Sequence, residues 1–370
     1  MDLRVKVGGL KDVVLSEPVS TTGQYFNSSV LSISILCVLE FENPFDDSTS
    51  LALVNNVFLP INPRFSSIMA EDKQGGKQWM RVEVLSCALN TVMDFGWSVL
   101  KSSFLEDRRS PIHSGNKGVE FNPINITTIT FSLDQIKQIK SCLHVIWIWI
   151  TEDYINTIND IICGIIFLGT RLYMDVTSEE AKNESSTALV LLNTRYINGF
   201  KSLNEMCQNQ EAKSLWGNQF AFLHISLPQL HQYDESLKPL KFVQEIQSII
   251  KRKRNSAAVY LTGMLLESMR KYRGPEAAAQ YVHNTIRNPS MAVTNMIGPV
   301  EKMALSNQPV KGLYFMVVNS PQSLVVTIMS YMDQLRVTIG AETGFIDPVK
   351  FRTCTEKAFS MIFDAAVKSQ

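Results

Sequence analysis

The sequence predicts a mixed α/β (α+β) fold, because strand-like and helix-like segments alternate along the whole chain without an internal repeat. Hydrophobic residues make up 45% and charged residues 19% of the 370 residues, a globular composition with length for about two domains. Lys+Arg and Asp+Glu both number 35, so no basic excess is available to hold a nucleic-acid backbone. A two-lobed globular protein is therefore expected, and a largely disordered chain is excluded.

The first third of the chain alternates between the two kinds of periodicity. Residues 29–42 alternate serine with Val, Leu and Ile, which is typical of a half-buried strand. A helical pattern covers 86–104, and the polar stretch 106–123 with its Gly and Pro residues predicts a long loop. The same arguments predict a helix over 48–58, hairpin strands over 65–69 and 77–85, and a strand over 126–131.

Two capping boxes predict the start of the next helices. Ser132 with Gln135 precedes a helix, and Thr157 with Asp160 precedes a second, very apolar one. Asp160 would there satisfy a backbone N–H and complement the helix dipole, which is the ordinary structural role of such an acid.

The second half of the chain is predicted to contain strands, then helices, then strands again. Strands are expected over 187–193 and 220–226, and helices continue through Met291. An ordinary loop is expected over 294–299, around Gly298-Pro299. Three strands over 313–318, 324–330 and 335–339 come next, and Asp347 followed by Pro348 begins the last helix.

Cysteine and histidine usage indicates a reducing compartment and no metal site. The six cysteines include no C-x-x-C pair, and none of the five histidines has metal-ligand spacing. No secretory signal or membrane-spanning segment is expected, since the N-terminus lacks an apolar region and the longest apolar runs are short.

Searches for short catalytic motifs find no G-x-S-x-G, Walker A, G-x-G-x-x-G or H-E-x-x-H. The pair His231 and Asp234 lies in a proline-flanked loop, where local solvated polarity explains it. The run 251–254 (KRKR) is interpreted as the exposed end of an amphipathic helix, with contact to anionic lipid headgroups as a secondary alternative.

Six sequence blocks together closely resemble the plant wax ester synthase/diacylglycerol acyltransferase family. They are EPVSTTGQYFNSSV (17–30), LPINPRFSSIM (59–69), TINDIICGIIFLGTRLYM (157–174), WGNQFAFLHISLP (216–228), NMIGPVEKMAL (295–305) and GLYFMVVNSPQSLVVTIMSY (312–331). The resemblance implies a two-lobed CoA-dependent acyltransferase fold of the chloramphenicol acetyltransferase type with a truncated first lobe. It also implies O-acyl transfer from a long-chain acyl-CoA to a fatty alcohol, giving wax ester, or to diacylglycerol, giving triacylglycerol.

The resemblance divides the chain into a divergent extension (1–16), an N-terminal acyltransferase domain (17–180) and a C-terminal wax ester synthase/diacylglycerol acyltransferase domain (187–365). Two departures fall in the N-terminal domain, a deletion near 85–87 and an insertion near 144–156. The deletion removes the H-H-x-x-x-D-G motif, whose second histidine takes the acceptor's proton in this family. No histidine here is followed four positions later by Asp, so no catalytic residue is assigned.

Five residues match family positions near the substrate tunnel: Asn159, Asp160, Asn295, Gly298 and Pro299. The resemblance implies acyl-CoA as a substrate, with no cofactor and no metal.

Three further features are compared with the family pattern. Pro63, Arg64 and Phe65 match an N-terminal block without an assigned role, and His224 is expected to be a satisfied core histidine. The stretch 94–98 (DFGWS) resembles a motif that related acyltransferases carry near their C-terminus. Here it lies on a first-lobe helix with Leu89, Val92 and Val99, so core packing is expected.

Two functional hypotheses follow from the resemblance and its departures. The first is a working O-acyltransferase of neutral-lipid synthesis, attached peripherally to the endoplasmic reticulum or plasma membrane. The second is a non-catalytic relative that binds acyl-CoA or pairs with a full-length homologue. Homo- or hetero-oligomers are possible partners under either hypothesis, and no nucleic acid is expected.

Overall fold

The computed structural model describes residues 25–26, 28, 30–43, 56, 87–147, 158–193, 220–230, 239–254, 256, 258–305 and 307–368. The strands are β1 (Ser34–Phe41), β2 (Ile124–Ser132), β3 (Thr187–Asn193), β4 (Phe220–Ser226), β5 (Met291–Met296), β6 (Ala304–Leu305), β7 (Gln308–Val318), β8 (Leu324–Tyr331) and β9 (Gln334–Glu342). The helices are α1 (Cys87–Ser103), α2 (Leu133–Trp147), α3 (Ile158–Thr177), α4 (Pro239–Arg254), α5 (Ala258–Arg273), α6 (Pro275–Arg287) and α7 (Pro348–Lys368). The predicted mixed α/β class is confirmed.

The described strands form two sheets. The larger has six strands in the order β2-β9-β8-β5-β3-β4, and the smaller has three in the order β1-β7-β6. In the larger sheet β5 runs parallel to both β3 and β8, whereas the outer pairs are antiparallel. Strands from both predicted domains meet in it, because β2 pairs with β9. The domain division itself stays a prediction.

Helices α2, α3, α4 and α7 cover one face of the six-stranded sheet and form its main apolar core. Helix α3 is central, and its residues from Asp160 to Arg171 are all buried. Its approach to α7 requires a glycine at position 169, since a Cβ there would lie 2.7 Å from the Thr355 Cα. We call this side of the sheet the α3 face.

The opposite side, which we call the α1 face, is covered in two parts. Helices α1, α5 and α6 pack over the β3–β4 end around Leu189, Leu266 and Val282. The three-stranded sheet covers β8 and β9, with Phe315 and Met316 in its contact surface. The six-stranded sheet is therefore covered by helices on one face, and by helices together with the three-stranded sheet on the other.

Most predicted elements within the described residues are confirmed. The strands predicted over 187–193 and 220–226 have the bounds of β3 and β4. Asp347 caps α7, because its Oδ1 accepts hydrogen bonds from the backbone N–H groups of Val349 and Lys350, both at 3.0 Å. The predictions over 48–58, 65–69 and 77–85, and those for Pro63, Arg64, Phe65, His231 and Asp234, lie outside the described residues.

The extension of helix through Met291 is wrong. Helix α6 ends at Arg287, and Met291–Met296 is the buried strand β5, so the first half of the expected loop at 294–299 is strand as well. A short run buried on both faces shows no alternation, and periodicity cannot distinguish it from a helix.

None of the described helices combines the length and the hydrophobicity needed to cross a lipid bilayer.

Candidate functional site

Two asparagines from sequence blocks far apart in the chain meet at one edge of the six-stranded sheet. Asn159 lies in the first turn of α3, and Asn295 lies near the end of β5. The Asn295 Nδ2 donates a hydrogen bond to the Asn159 Oδ1 at 3.0 Å, and both residues are half-buried. The contact joins two of the blocks that carry the family resemblance.

The turn after β5 is held against the end of β8 by hydrogen bonds. The Gly298 N–H donates to the Ser330 Oγ at 3.1 Å, and the Met332 N–H donates to the Pro299 carbonyl at 3.4 Å. A Cβ at position 298 would lie 1.9 Å from the Ser330 carbonyl oxygen. Only glycine fits this approach, so the turn has a fixed place beside the asparagine pair.

The first turn of α3 adds two more buried groups. Asp160 is almost completely buried, close to the positive end of the helix dipole. The Cys163 Sγ lies 4.0 Å from the Asn159 Oδ1, as a weak donor. Burial, and secondarily the Asp160 carboxylate, raise the pKa of the Cys163 thiol, so it stays protonated and is a poor nucleophile.

Exposed apolar side chains surround the turn. Met296, Ile297 and Val300 project from the turn segment, and Met332 projects from the neighbouring β8–β9 turn. Amide groups that can hold a carbonyl or hydroxyl thus lie beside a surface suited to hydrocarbon. The structure brings Asn159, Asp160, Asn295, Gly298 and Pro299 to one edge, and their role in substrate binding stays a prediction.

His224 lies on the other side of the sheet. Its neighbours Leu223 and Ile225 belong to the core on the α3 face, as does Val293, which shares a strand face with Asn295. Because successive side chains alternate between faces, His224 points to the α1 face and Asn295 to the α3 face. His224 is therefore separated from the asparagine pair by the sheet.

The His224 ring is a buried, uncharged group. Its Nδ1 lies 3.4 Å from the Ser98 Oγ. Burial, and then the positive charges of Lys253 and Lys101, lower the pKa of His224 to about 3. His224 is buried in the core, as the sequence predicts.

A small cavity of about 20 Å³, roughly the size of one water molecule, borders His224 on the α1 face. Its walls come from α1, β4, the end of α4 and the start of α5, and its lining is Asp94, Trp97, Ser98, Phe222, Leu223, His224, Lys253, Ala258 and Thr262. The Lys253 Nζ donates to the Asp94 Oδ1 at 3.2 Å inside it, and Arg252 Nη2 lies 3.7 Å from the same oxygen.

Two expectations from sequence are wrong here. Trp97 is partly exposed rather than packed in the core, and Lys253 is buried rather than part of a solvated helix end. The sequence contained both partners of this buried ion pair, Asp94 on one predicted helix and the cationic run 251–254 on another. Nothing local in either segment indicates that the two pair across 159 positions.

Comparisons with known proteins agree with the motif blocks. Residues 216–363 match the family described as the WS/DGAT C-terminal domain. The chain is similar in sequence to the wax ester synthase/diacylglycerol acyltransferases. This relationship confirms the resemblance recognised from the sequence blocks.

Two relatives from Arabidopsis thaliana show how much of the chain the similarity covers. Wax ester synthase/diacylglycerol acyltransferase 4 is 25% identical over 92% of this chain and 65% of its own length. Wax ester synthase/diacylglycerol acyltransferase 5 is 26% identical over 87% of this chain and 62% of its own length. The chain thus spans less than two thirds of these relatives.

Among solved structures, a wax ester synthase/diacylglycerol acyltransferase from Marinobacter aquaeolei VT8 superposes with a TM-score of 0.44 at 12% identity. The superposition covers 77% of this chain and 58% of that one.

The described histidine side chains all contact groups outside the asparagine pair. His113 Nε2 lies 3.8 Å from a Glu106 carboxylate oxygen, and His283 Nε2 lies 3.8 Å from one of Glu120. His224 contacts Ser98 on the α1 face, the opposite face of the sheet from the asparagine pair. The missing H-H-x-x-x-D-G motif is thus not replaced by any of these three rings at the Asn159–Asn295 contact.

Proposed function

We propose that this protein serves O-acyl transfer from a long-chain acyl-CoA to a fatty alcohol or diacylglycerol. The observation that carries the proposal is the hydrogen bond between Asn159 and Asn295, which unites two family blocks at a sheet edge beside exposed apolar side chains. The relationship to the wax ester synthase/diacylglycerol acyltransferases supports the same reaction class.

The reaction defines what the site must do. The acceptor hydroxyl oxygen bonds to the thioester carbonyl carbon, the carbon–sulfur bond breaks, and the hydroxyl proton ends on the CoA thiol. In the proposed site the amides of Asn159 and Asn295 orient the acyl carbonyl, and Met296, Ile297 and Val300 contact the acyl chain. A general base near neutral pKa would add roughly 10²–10⁴-fold to the rate.

A second candidate is a non-catalytic family member that binds acyl-CoA or a full-length homologue. It is favoured by the missing H-H-x-x-x-D-G motif and by the position of His224, a histidine with a pKa of about 3 on the opposite face of the sheet. Such a protein keeps the edge of the sheet that carries Asn159 and Asn295, here called the asparagine edge. It lacks the histidine that acts as the general base.

Expression in a yeast strain without neutral-lipid synthesis, fed with fatty alcohol, decides between the two candidates. Wax ester or triacylglycerol above background, lost in Asn295→Ala and kept in the exposed control Asn116→Ala, supports the acyltransferase. No product from a chain that unfolds cooperatively supports the binding protein. Product that persists in Asn295→Ala overturns the proposed site.

The proposal includes a location, which is peripheral attachment to the endoplasmic reticulum or plasma membrane where such lipids reside. Cell fractionation tests it, because a protein that remains in the supernatant at low and high salt contradicts attachment.

A further inference from the structure

Helix α1 exposes apolar side chains and buries charged ones, the reverse of an ordinary surface helix. Asp94 and Lys101 are buried against the rest of the protein. The outer side carries four apolar side chains spaced three or four residues apart, which we call the α1 stripe: Met93, Trp97, Leu100 and Phe104. Phe104 directly follows the helix and continues its geometry, because its N–H donates to the Leu100 carbonyl at 2.8 Å.

The α1 stripe is strongly exposed. Met93 retains 74% of its accessible surface and Phe104 retains 79%, with Leu100 at 45% and the adjacent Leu105 at 40%. Single exposed apolar residues are normal on a protein surface. A contiguous row of them is instead typical of a surface that contacts another molecule or a membrane.

Arginine side chains lie near both ends of the α1 stripe. At its N-terminal end, the half-exposed Arg252 at the end of α4 reaches α1, where its Nη2 lies 3.7 Å from the Asp94 Oδ1. Beyond its C-terminal end come Arg108 and Arg109, which are both exposed. The apolar row is thus flanked by cations.

The acidic side chains nearest to the stripe in sequence are neutralised by cations of the described residues. Their ion pairs are Asp94 with Lys253, Glu106 with Arg287 and Asp107 with Lys101. The charge that remains around the stripe is therefore positive, and it attracts an anionic partner.

An apolar row flanked by cations fits an anionic lipid bilayer. Apolar side chains on one side of a helix insert about 5–10 Å into the boundary between headgroups and acyl chains. The Trp97 indole, with an apolar body and one N–H, is the kind of ring that is enriched at this boundary. The flanking arginines then contact headgroup phosphates. A protein partner would need acidic groups matched to both ends of the stripe, whereas an anionic bilayer supplies them over its whole surface.

We propose that the α1 stripe and its flanking arginines are the surface through which this protein contacts an anionic lipid bilayer. The inference rests on the peripheral attachment included in the proposed function, and it names the side chains and the lipid charge responsible. It does not depend on acyl transfer, because the stripe lies on the opposite face of the sheet from Asn159 and Asn295.

Flotation of the purified full chain with phosphatidylcholine vesicles, with and without an equal share of phosphatidylserine, tests the role of lipid charge. Binding is expected to be at least tenfold tighter with phosphatidylserine and to weaken as salt is added. Equal affinity of the wild-type protein for both kinds of vesicle, or no binding to either, overturns the proposal even where a variant fails to fold.

Two double variants with the same change in charge test the position of the cations. Arg108→Gln with Arg109→Gln is expected to weaken binding to phosphatidylserine vesicles about tenfold. Arg352→Gln with Lys357→Gln removes two exposed cations from α7, which covers the α3 face, and is expected to bind as the wild-type protein does. Equal losses in both would show attraction by overall charge, and would contradict the proposed surface.

Vesicles with brominated acyl chains test insertion of the stripe, because bromine quenches the fluorescence of tryptophan on contact. Trp97→Phe is expected to lose most of the quenching while it still floats with the vesicles. Phe104→Ser should weaken binding about tenfold, and the control Val349→Ser, which removes an exposed apolar side chain (68%) from α7, should not.

Three outcomes would contradict the proposed surface. One is quenching that persists in Trp97→Phe, and another is equal binding by Phe104→Ser and the wild-type protein. The third is a lipid-free dimer that dissociates in Phe104→Ser, since it would make the stripe a protein interface. The acyltransferase test in yeast measures product rather than vesicle binding, so failure of the two proposals is distinguishable.

Discussion

The two faces of the six-stranded sheet are packed by different kinds of interaction. On the α3 face the core is apolar, and the buried Arg171 guanidinium donates to the backbone carbonyls of Leu227, Pro228 and Glu184. On the α1 face, charged side chains form buried pairs, Lys101 of α1 with Asp107 of the following loop and Lys253 at the end of α4 with Asp94 of α1. Apolar packing therefore dominates one face, and pairing of buried charges contributes strongly on the other.

The asparagine pair and the cavity lie on different faces of the sheet. The asparagine edge belongs to the α3 face, where close packing of α3, β5 and the Gly298 turn holds each amide in place. The cavity belongs to the α1 face, where charged groups remain around an open space. Substitutions on one face are expected to leave the packing of the other face intact.

The largest effect is expected at the charge network of the α1 face. The buried Asp107 carboxylate accepts hydrogen bonds from Lys101, from the N–H and hydroxyl of Thr187, and from those of Ser290. Asp107→Asn leaves the Lys101 ammonium buried and unpaired, so the free energy of unfolding should fall by about 3–5 kcal/mol in urea titrations. The control Asp134→Asn breaks an exposed pair and should cost less than about 1 kcal/mol. Similar losses in both would show that the α1 face does not depend on buried charge.

The next effect concerns packing on the α3 face. Gly169→Ala places a methyl group 2.7 Å from the Thr355 Cα, which forces α3 and α7 apart. The expected loss is about 1–3 kcal/mol of unfolding free energy, measured by thermal and urea denaturation. A neutral result would mean that the two helices separate without cost.

The pH dependence of the unfolding free energy tests whether His224 is buried on the α1 face. Burial lowers its folded pKa to about 3, whereas the unfolded chain binds the proton near 6.5. Its contribution to stability is thus present above pH 6.5 and is lost as pH falls from 6.5 toward 3. Between pH 5.5 and 4 the wild-type protein should lose about 1.4 kcal/mol more per pH unit than His224→Gln. Parallel pH profiles would show that the ring is solvated.

The smallest expected change in unfolding free energy is a stabilisation. A Cβ at Gly96 meets nothing within 4 Å, and the residue lies inside α1 with an ordinary helical backbone. Gly96→Ala should therefore stabilise the protein by about 0.5–1 kcal/mol in the denaturation measurement used for Gly169→Ala. Destabilisation would indicate that the outer side of α1 is already covered.

Local patterns predicted most of the described elements, and only some of the contacts between them. The bounds of β3 and β4 and the Asp347 cap follow from alternation and capping within a few residues. Strand β5 was missed because its first four residues are all buried, so the strand shows no alternation between apolar and polar side chains. The buried Lys253 was missed for a related reason, since a cationic run predicts solvent exposure unless its distant partner is known.

The two residues of the asparagine pair could be predicted from the sequence, but their contact could not. Asn159 and Asn295 were each singled out through the family blocks, but their hydrogen bond spans 136 positions and depends on β5 being a central strand. The cavity on the α1 face was not predicted, because it arises from four elements that no local motif connects.

Photocrosslinking with a diazirine-tailed palmitoyl-CoA, followed by mapping of labelled peptides, tests the assignment of the acyl site most directly. Labels on Met296, Ile297 and Val300 that decrease in Asn295→Ala are the predicted result. Labels confined to the exposed side chains of the α1 face, such as Met93 and Leu100, with none on the Gly298 turn, would contradict the assignment of acyl-CoA to the asparagine edge.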